Sequence, residues 1–193
     1  MRKYIVSVIT TVDGYFEGPG KDVMAMPFDD GFSRYNVELL RDAAAVVHGS
    51  RWFDGGAHWT RVLQDEQQPD IEREIGRLNV GLERLVISDS LQPDPSWPYA
   101  ERTRIVPVAQ GPEEVARLKE GDGGTVLSFG SATTWNPLLE AGLVDELHVL
   151  VGPALLGDGA KVFRGGRRGL RLLDARVLDD SQLVRLRYDA TGA

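Results

Sequence analysis

Six short apolar runs, rich in β-branched residues, recur along the chain at Tyr4–Val12, Ala44–His48, Leu85–Ser88, Ile105–Ala109, Thr125–Phe129 and Leu147–Val151. Each is closed by Gly, Asp or Pro, so each reads as a central strand. Between them lie helical segments: Arg34–Asp42, whose Val37 and Leu40 share a face, Pro69–Leu78, Pro112–Glu120 and Ala132–Ala141. Strand and helix alternate, and alternation predicts an α/β sheet with helices on both faces. The C-terminal end breaks this rhythm. Leu170–Leu178 and Gln182–Tyr188 alternate polar with apolar residues across Asp179-Asp180-Ser181, which predicts an antiparallel edge hairpin on a mostly parallel sheet. Trp52–Asp70, with Gly55-Gly56, has no clear period and is expected to be an irregular functional loop or lid.

A length of 193 residues suits one domain, 1–193, with a core that needs no metal or disulfide. The formal charge of −7 argues against nucleic acid as a partner, because a phosphate backbone demands a cationic surface. With no cysteine there is no disulfide, thiolate nucleophile or Cys-ligated metal, which fits a reducing, cytoplasmic setting. The opening MRKYIVSVITTVDG has the β-branched and aromatic character of a first strand rather than of a signal peptide. No run approaches the roughly 20 apolar residues of a membrane span, so no membrane partner is expected.

Chemistry concentrates at two small-residue turns. Gly130-Ser131-Ala132-Thr133 follows a strand and precedes a helix, where unpaired N–H groups and the helix dipole favour an anion. On local chemistry alone the turn reads equally as a phosphate cradle or as a tight connection. Asn136-Pro137 is itself a good cap pair, and a helix starting there would leave Gly130 away from any helix N-terminus. The second turn, Gly49-Ser50-Arg51, follows another strand. In one parallel sheet both would emerge at carboxyl ends, where open α/β sheets bind ligands, and Arg51 could pair with a phosphate. His48, His58 and His148 are too scattered for a metal site, and no nucleophile elbow or Walker loop is present. The acids Asp13, Asp29 and Asp30 read first as turn and helix caps, or else as a carboxylate orienting a polar substrate.

These pieces resemble the dihydrofolate-reductase-like superfamily, and within it the C-terminal reductase domain of the riboflavin-biosynthesis deaminase-reductase. The segment GSATTWNPLLEAGLVDELHVLVGPALLGDGAKVF, residues 130–163, carries most of the likeness. TTVDGYFEGPG at 10–20, HGSRWF at 48–53 and LVISDSL at 85–91 support it. The resemblance implies a three-layer α/β/α fold with a predominantly parallel sheet, and hydride transfer from NADPH. It implies cofactor contacts at Gly49, Ser50, Arg51, Trp52 and Ser88 and at Gly130, Ser131, Ala132 and Thr133. Substrate would border Asp13, Met26, Asp30 and Arg34, with Asp30 the candidate catalytic carboxylate.

The nearest named activity is 5-amino-6-(5-phosphoribosylamino)uracil reductase, in a stand-alone form without the deaminase domain. Dihydrofolate reductase and a non-catalytic homologue that has lost its cofactor are the alternatives. Ser50 and Trp52 replace the Arg and Thr common in relatives, and Asp89 adds negative charge, so NADH stands beside NADPH as a cofactor. The resemblance further implies a homodimer acting on a small molecule, with no metal.

Overall fold

The computed structural model describes residues 1–192, apart from the side chain of Trp52. In chain order its strands are β1 (Tyr4–Thr11), β2 (Tyr15–Glu17), β3 (Ala43–Gly49), β4 (Glu83–Ile87), β5 (Thr103–Val106), β6 (Thr125–Phe129), β7 (Glu146–Gly152), β8 (Ala160–Lys161), β9 (Arg171–Val177) and β10 (Val184–Asp189). The helices are α1 (Asp30–Arg41), α2 (Ala57–Gln64), α3 (Asp70–Val80), α4 (Gly111–Lys119) and α5 (Ala132–Glu140). All six predicted central strands and all four predicted helices are present, with ends displaced by a few residues. The hairpin of β9 and β10 is antiparallel, as its alternation predicts.

The chain packs as two compact units. One comprises Met1–Lys3 and Ser33–Leu127, the other Tyr4–Phe32 and the chain from Ser128 on. In the first, the strands run β5-β4-β3-β6 and every pair is parallel, with Val47 opposite Leu85 and Val86 opposite Ile105. Parallel strands covered on both faces carry continuous apolar runs, and Ala45, Val46, Val47, Leu85 and Val86 are accordingly buried. The segment read as an irregular lid instead contains α2. Its Val62 is buried and Leu63 lies 3.1 Å from where a side chain on Gly76 of α3 would begin, so the absence of that side chain lets the two helices approach. Eight residues are too few for the apolar period to stand out, which is why the helix was not legible.

In the second unit β1 runs parallel to β7, β10 antiparallel to β7, and β9 antiparallel to β10. Two further short strands, β2 and β8, pair with each other and lie outside the predicted set. Trp135, Leu138, Leu147, Leu150 and Leu183 form the centre of this core, none more than 2 % exposed.

Candidate active site

Most of the residues singled out in the first unit lie at the carboxyl ends of neighbouring parallel strands. Gly49 closes β3 and pairs with Ile87, the last residue of β4, so the turn Ser50–Trp52 and Ser88 emerge side by side. Arg51 is exposed and Ser50 half-buried, while the side chain of Trp52 lies outside what is described. Ser88 is 8 % exposed and its hydroxyl accepts from the N–H groups of Ser90 (3.2 Å) and Leu91 (3.1 Å), so it shapes the turn that follows. Asp89, read from sequence as a charge that opposes phosphate, accepts from Val108 N–H at 2.9 Å.

Behind this edge sits His48, half-buried and 5.6 Å from the ring of Phe53. Burial, reinforced by the Arg84 charge, lowers its pKa to about 4. In the other unit burial does the same to His148, although Glu146 Oε2 at 3.0 Å partly opposes the shift. Both rings are neutral near neutral pH and neither is poised as a proton donor. The unfolded chain takes up these protons near the ordinary imidazole value of 6.5, whereas the fold resists until about 4. Stability is therefore full above that upper value, falls as the pH drops through the window, and stops falling for this reason below about 4. Urea unfolding across that window should show the decline, and the double variant His48→Gln/His148→Gln should flatten it.

The second unit holds the other turn. Gly130 (φ +57°) and Ser131 (φ +47°) are both left-handed, and Ser131 caps α5 without a side-chain hydrogen bond. For a serine that conformation costs on the order of 1–2 kcal/mol, and such strain clusters at ligand sites. Three tethers hold the turn: Gly130 N–H donates to Ser7 O (3.0 Å), the Trp135 indole N–H donates to Gly130 O (2.6 Å), and Thr134 N–H donates to Ser131 O (2.8 Å). The N–H groups of Ala132 and Thr133 have no partner among the described residues. A side chain on Gly130 would meet nothing within 4 Å, so the space beside the turn is open. The helix begins at Ala132 and not at Asn136: Thr134 and Trp135 N–H both donate to Ser131 O (2.8 and 3.3 Å), and the Asn136 side-chain oxygen accepts from Arg164 N–H (3.2 Å) while its NH2 group donates to Ala132 O (2.7 Å) and Val162 O (3.0 Å).

The candidate substrate residues separate by what their side chains already hold. Asp13 accepts from Thr11 Oγ1 (2.6 Å), Leu156 N–H (3.1 Å) and Gly157 N–H (2.8 Å), and these bonds, Thr11's foremost, lower its pKa to about 2. It ties the loop after β7 to the end of β1. Asp29 accepts from Phe32 N–H (3.1 Å) at the start of α1 and from Ser181 Oγ (2.7 Å). Asp30, by contrast, is exposed in the first turn of α1 and makes no hydrogen bond or ion pair among the described residues. Met26 is 4 % exposed and Arg34 half-buried. The Asp29–Ser181 bond spans 152 positions, so no local sequence signal marks it. Among the described residues no group of His, Asp or Glu could hold a metal, and no helix is long and apolar enough to cross a membrane.

The Bacillus subtilis protein YyaP, named as uncharacterized, is 25 % identical over 195 residues, covering 99 % of this chain and 96 % of that one. A pyrimidine reductase-like protein from Corynebacterium diphtheriae superposes with a TM-score of 0.61 at 15 % identity, covering 97 % of this chain and 91 % of that one. Dihydrofolate reductase from Enterococcus faecalis, solved with NADP(H), gives a TM-score of 0.59 at 13 % identity, covering 97 % and 95 %. The fold is therefore dihydrofolate-reductase-like, an α/β class with a mostly parallel sheet and an antiparallel C-terminal hairpin. The RibD C-terminal domain model matches residues 2–184, nearly the whole chain, and the chain belongs to that family.

Proposed function

We propose that the chain, working as one domain over 1–193, is an NADPH-dependent reductase of a small heterocyclic or sugar-bearing substrate. Its model activity is 5-amino-6-(5-phosphoribosylamino)uracil reductase of riboflavin biosynthesis. The observation that carries this reading is the left-handed Gly130–Ser131 pair ahead of α5, with the Ala132 and Thr133 N–H groups unpartnered, in a chain of the RibD C-terminal family. That donor set fits a pyrophosphate.

When bound, the nicotinamide supplies the hydride; the protein aligns donor and acceptor. In this reading the Ala132 and Thr133 N–H groups of the Gly130–Thr133 turn hold the pyrophosphate; in the first unit the Gly49–Trp52 turn is a cofactor contact, with Ser88 shaping the adjacent loop. Exposed Arg51 offers the charge for a 2′-phosphate. The Asp89 carboxylate accepts from Val108 N–H but keeps its negative charge, so NADH stands beside NADPH as the cofactor. Asp13 holds the substrate-side loop in place, Met26 and Arg34 border the acceptor, and Asp30 is the carboxylate free to orient it. The reductase is placed in the cytoplasm as a homodimer, without nucleic acid or membrane as partner.

The second reading is a non-catalytic homologue, favoured by Ser50 and Trp52 at positions where relatives carry other residues. Dihydrofolate reductase is the third, favoured by the similarity to the Enterococcus faecalis enzyme.

Thermal unfolding with NADPH, NADH and flavins added separately distinguishes them. A cofactor at about 100 times its Kd stabilises by about 2.7 kcal/mol, a rise of roughly 5–10 °C at this size. The Gly130→Asp variant, which sets a negative charge beside the cradle, should abolish that rise. Oxidation of NADPH by the ribosylaminopyrimidine or by dihydrofolate then names the acceptor. No rise with either nicotinamide cofactor overturns the reductase reading.

A further inference from the structure

A cavity of about 400 Å³ opens in the second unit between the last turns of α5 and the loop 163–170, which reads Phe-Arg-Gly-Gly-Arg-Arg-Gly-Leu. That volume lies within the roughly 300–1,000 Å³ of small-molecule sites. The cavity is separate from the cradle at 130–133, which stands at the other end of α5, a helix of nine residues and so about 13 Å long. Asn136 fastens the two walls together. Its side-chain oxygen accepts from Arg164 N–H (3.2 Å) while its NH2 group donates to Val162 O (3.0 Å).

In a chain of net charge −7, three arginines fall within the five residues 164–168 and line this one cavity. An arginine beside the C-terminal end of a helix ordinarily bonds the last carbonyls, and Arg168 does so, donating to Leu139 O (2.6 Å) and also to Ala190 O (3.2 Å). Arg164 and Arg167 are exposed, and their guanidinium groups make no hydrogen bond or ion pair among the described residues. Glu140, the acid in the lining, pairs with neither. No N–H from Gly165 to Gly169 donates a hydrogen bond among the described residues either. Free guanidinium groups beside a run of free N–H groups are a donor set for phosphate, which arginine binds through paired N–H bonds. The rest of the lining is apolar. Leu139 is buried, Leu170 half-buried, and Phe163 is 46 % exposed with its ring edge-on to Trp135. An exposed ring offers a face to another planar ring, a contact that inorganic phosphate alone would not use.

We propose that this cavity is a second small-molecule site, for a phosphomonoester carried on a planar aromatic ring, with a mononucleotide as its simplest form. Arg164 and Arg167 hold the phosphate, and Phe163, Leu139 and Leu170 receive the ring. The site is independent of the cofactor reading, which rests on the opposite end of α5.

Isothermal titration calorimetry with AMP, adenosine and inorganic phosphate tests it. AMP should bind more tightly than either of the others, because adenosine lacks the charge and phosphate lacks the ring. The double variant Arg164→Ser/Arg167→Ser should raise the AMP Kd about a hundredfold, roughly tenfold for each charge-assisted contact. Its unfolding midpoint should not move, since neither guanidinium has a partner to lose. Phe163→Leu should weaken AMP about tenfold and leave inorganic phosphate unchanged. Arg51→Ala, in the first unit, should leave the AMP Kd unchanged, which separates this site from the cofactor turn. AMP binding that ignores the arginine pair, that is lost in Arg51→Ala, or that is absent at millimolar concentration overturns the proposal. Adenosine binding as tightly as AMP overturns the phosphate contact, and phosphate binding as tightly as AMP overturns the ring contact. The NADPH-induced rise in midpoint tests the reductase reading separately, so either can fail while the other stands.

Discussion

Trp135→Ala should lower the unfolding free energy by about 3–5 kcal/mol, the range for truncating a fully buried large aromatic side chain. Trp135 is 0 % exposed and packs edge-on against Phe163, with ring centroids 5.8 Å apart. For a chain of this size the midpoint should fall by roughly 10 °C. The indole also does something a hydrophobic residue cannot: its N–H holds Gly130 O at 2.6 Å, one of three tethers on the turn. Trp135→Phe separates the two roles. It keeps most of the volume but leaves the Gly130 carbonyl without its donor, a loss of about 1–2 kcal/mol. In the reductase reading the phenylalanine variant should lose much of the NADPH-induced rise in midpoint while remaining folded. An unchanged rise would mean that the indole supports the core and not the cradle.

Gly56→Val should be comparably damaging, for two independent reasons. Gly56 caps α2 at φ +92°, a conformation that costs an L-residue about 1–2 kcal/mol. A Cβ there would also lie 2.1 Å from the ring of Tyr99, and overpacking adds about 1–3 kcal/mol. Tyr99 cannot yield freely, because the buried Arg84 guanidinium lies 4.2 Å over its ring and is held beneath by Leu82 O and Asn79 O. Displacing the ring uncovers a charge whose pKa burial has already lowered to about 10. Gly130→Ala is the control. It carries the same type of backbone penalty at φ +57° but meets open space, so it should cost about 1–2 kcal/mol in denaturant unfolding. If the two variants are equally stable, the Tyr99 contact contributes nothing and backbone conformation alone makes glycine necessary at Gly56.

The sequence by itself determined the α/β class, the six central strands and the C-terminal hairpin, because these follow from periodicity and turn chemistry acting over a few neighbouring residues; the family was legible through the resemblance carried by residues 130–163. It could not decide whether α5 starts at Ala132 or Asn136. In the fold Thr134 and Trp135 N–H bond Ser131 O, and the Asn136 oxygen that could have capped a later start is taken by Arg164 N–H, 28 positions away. Nor could it separate the acids. Asp13, Asp29 and Asp30 are alike in type, and only the fold brings Gly157 to the first and Ser181 to the second while leaving Asp30 exposed. The helix of Ala57–Gln64 and the depressed pKa of His48 belong to the same group, since packing against α3 and burial beside Arg84 are not encoded in adjacent residues. Local propensity determined what each segment is; contacts between distant segments decided which polar groups were left free for chemistry.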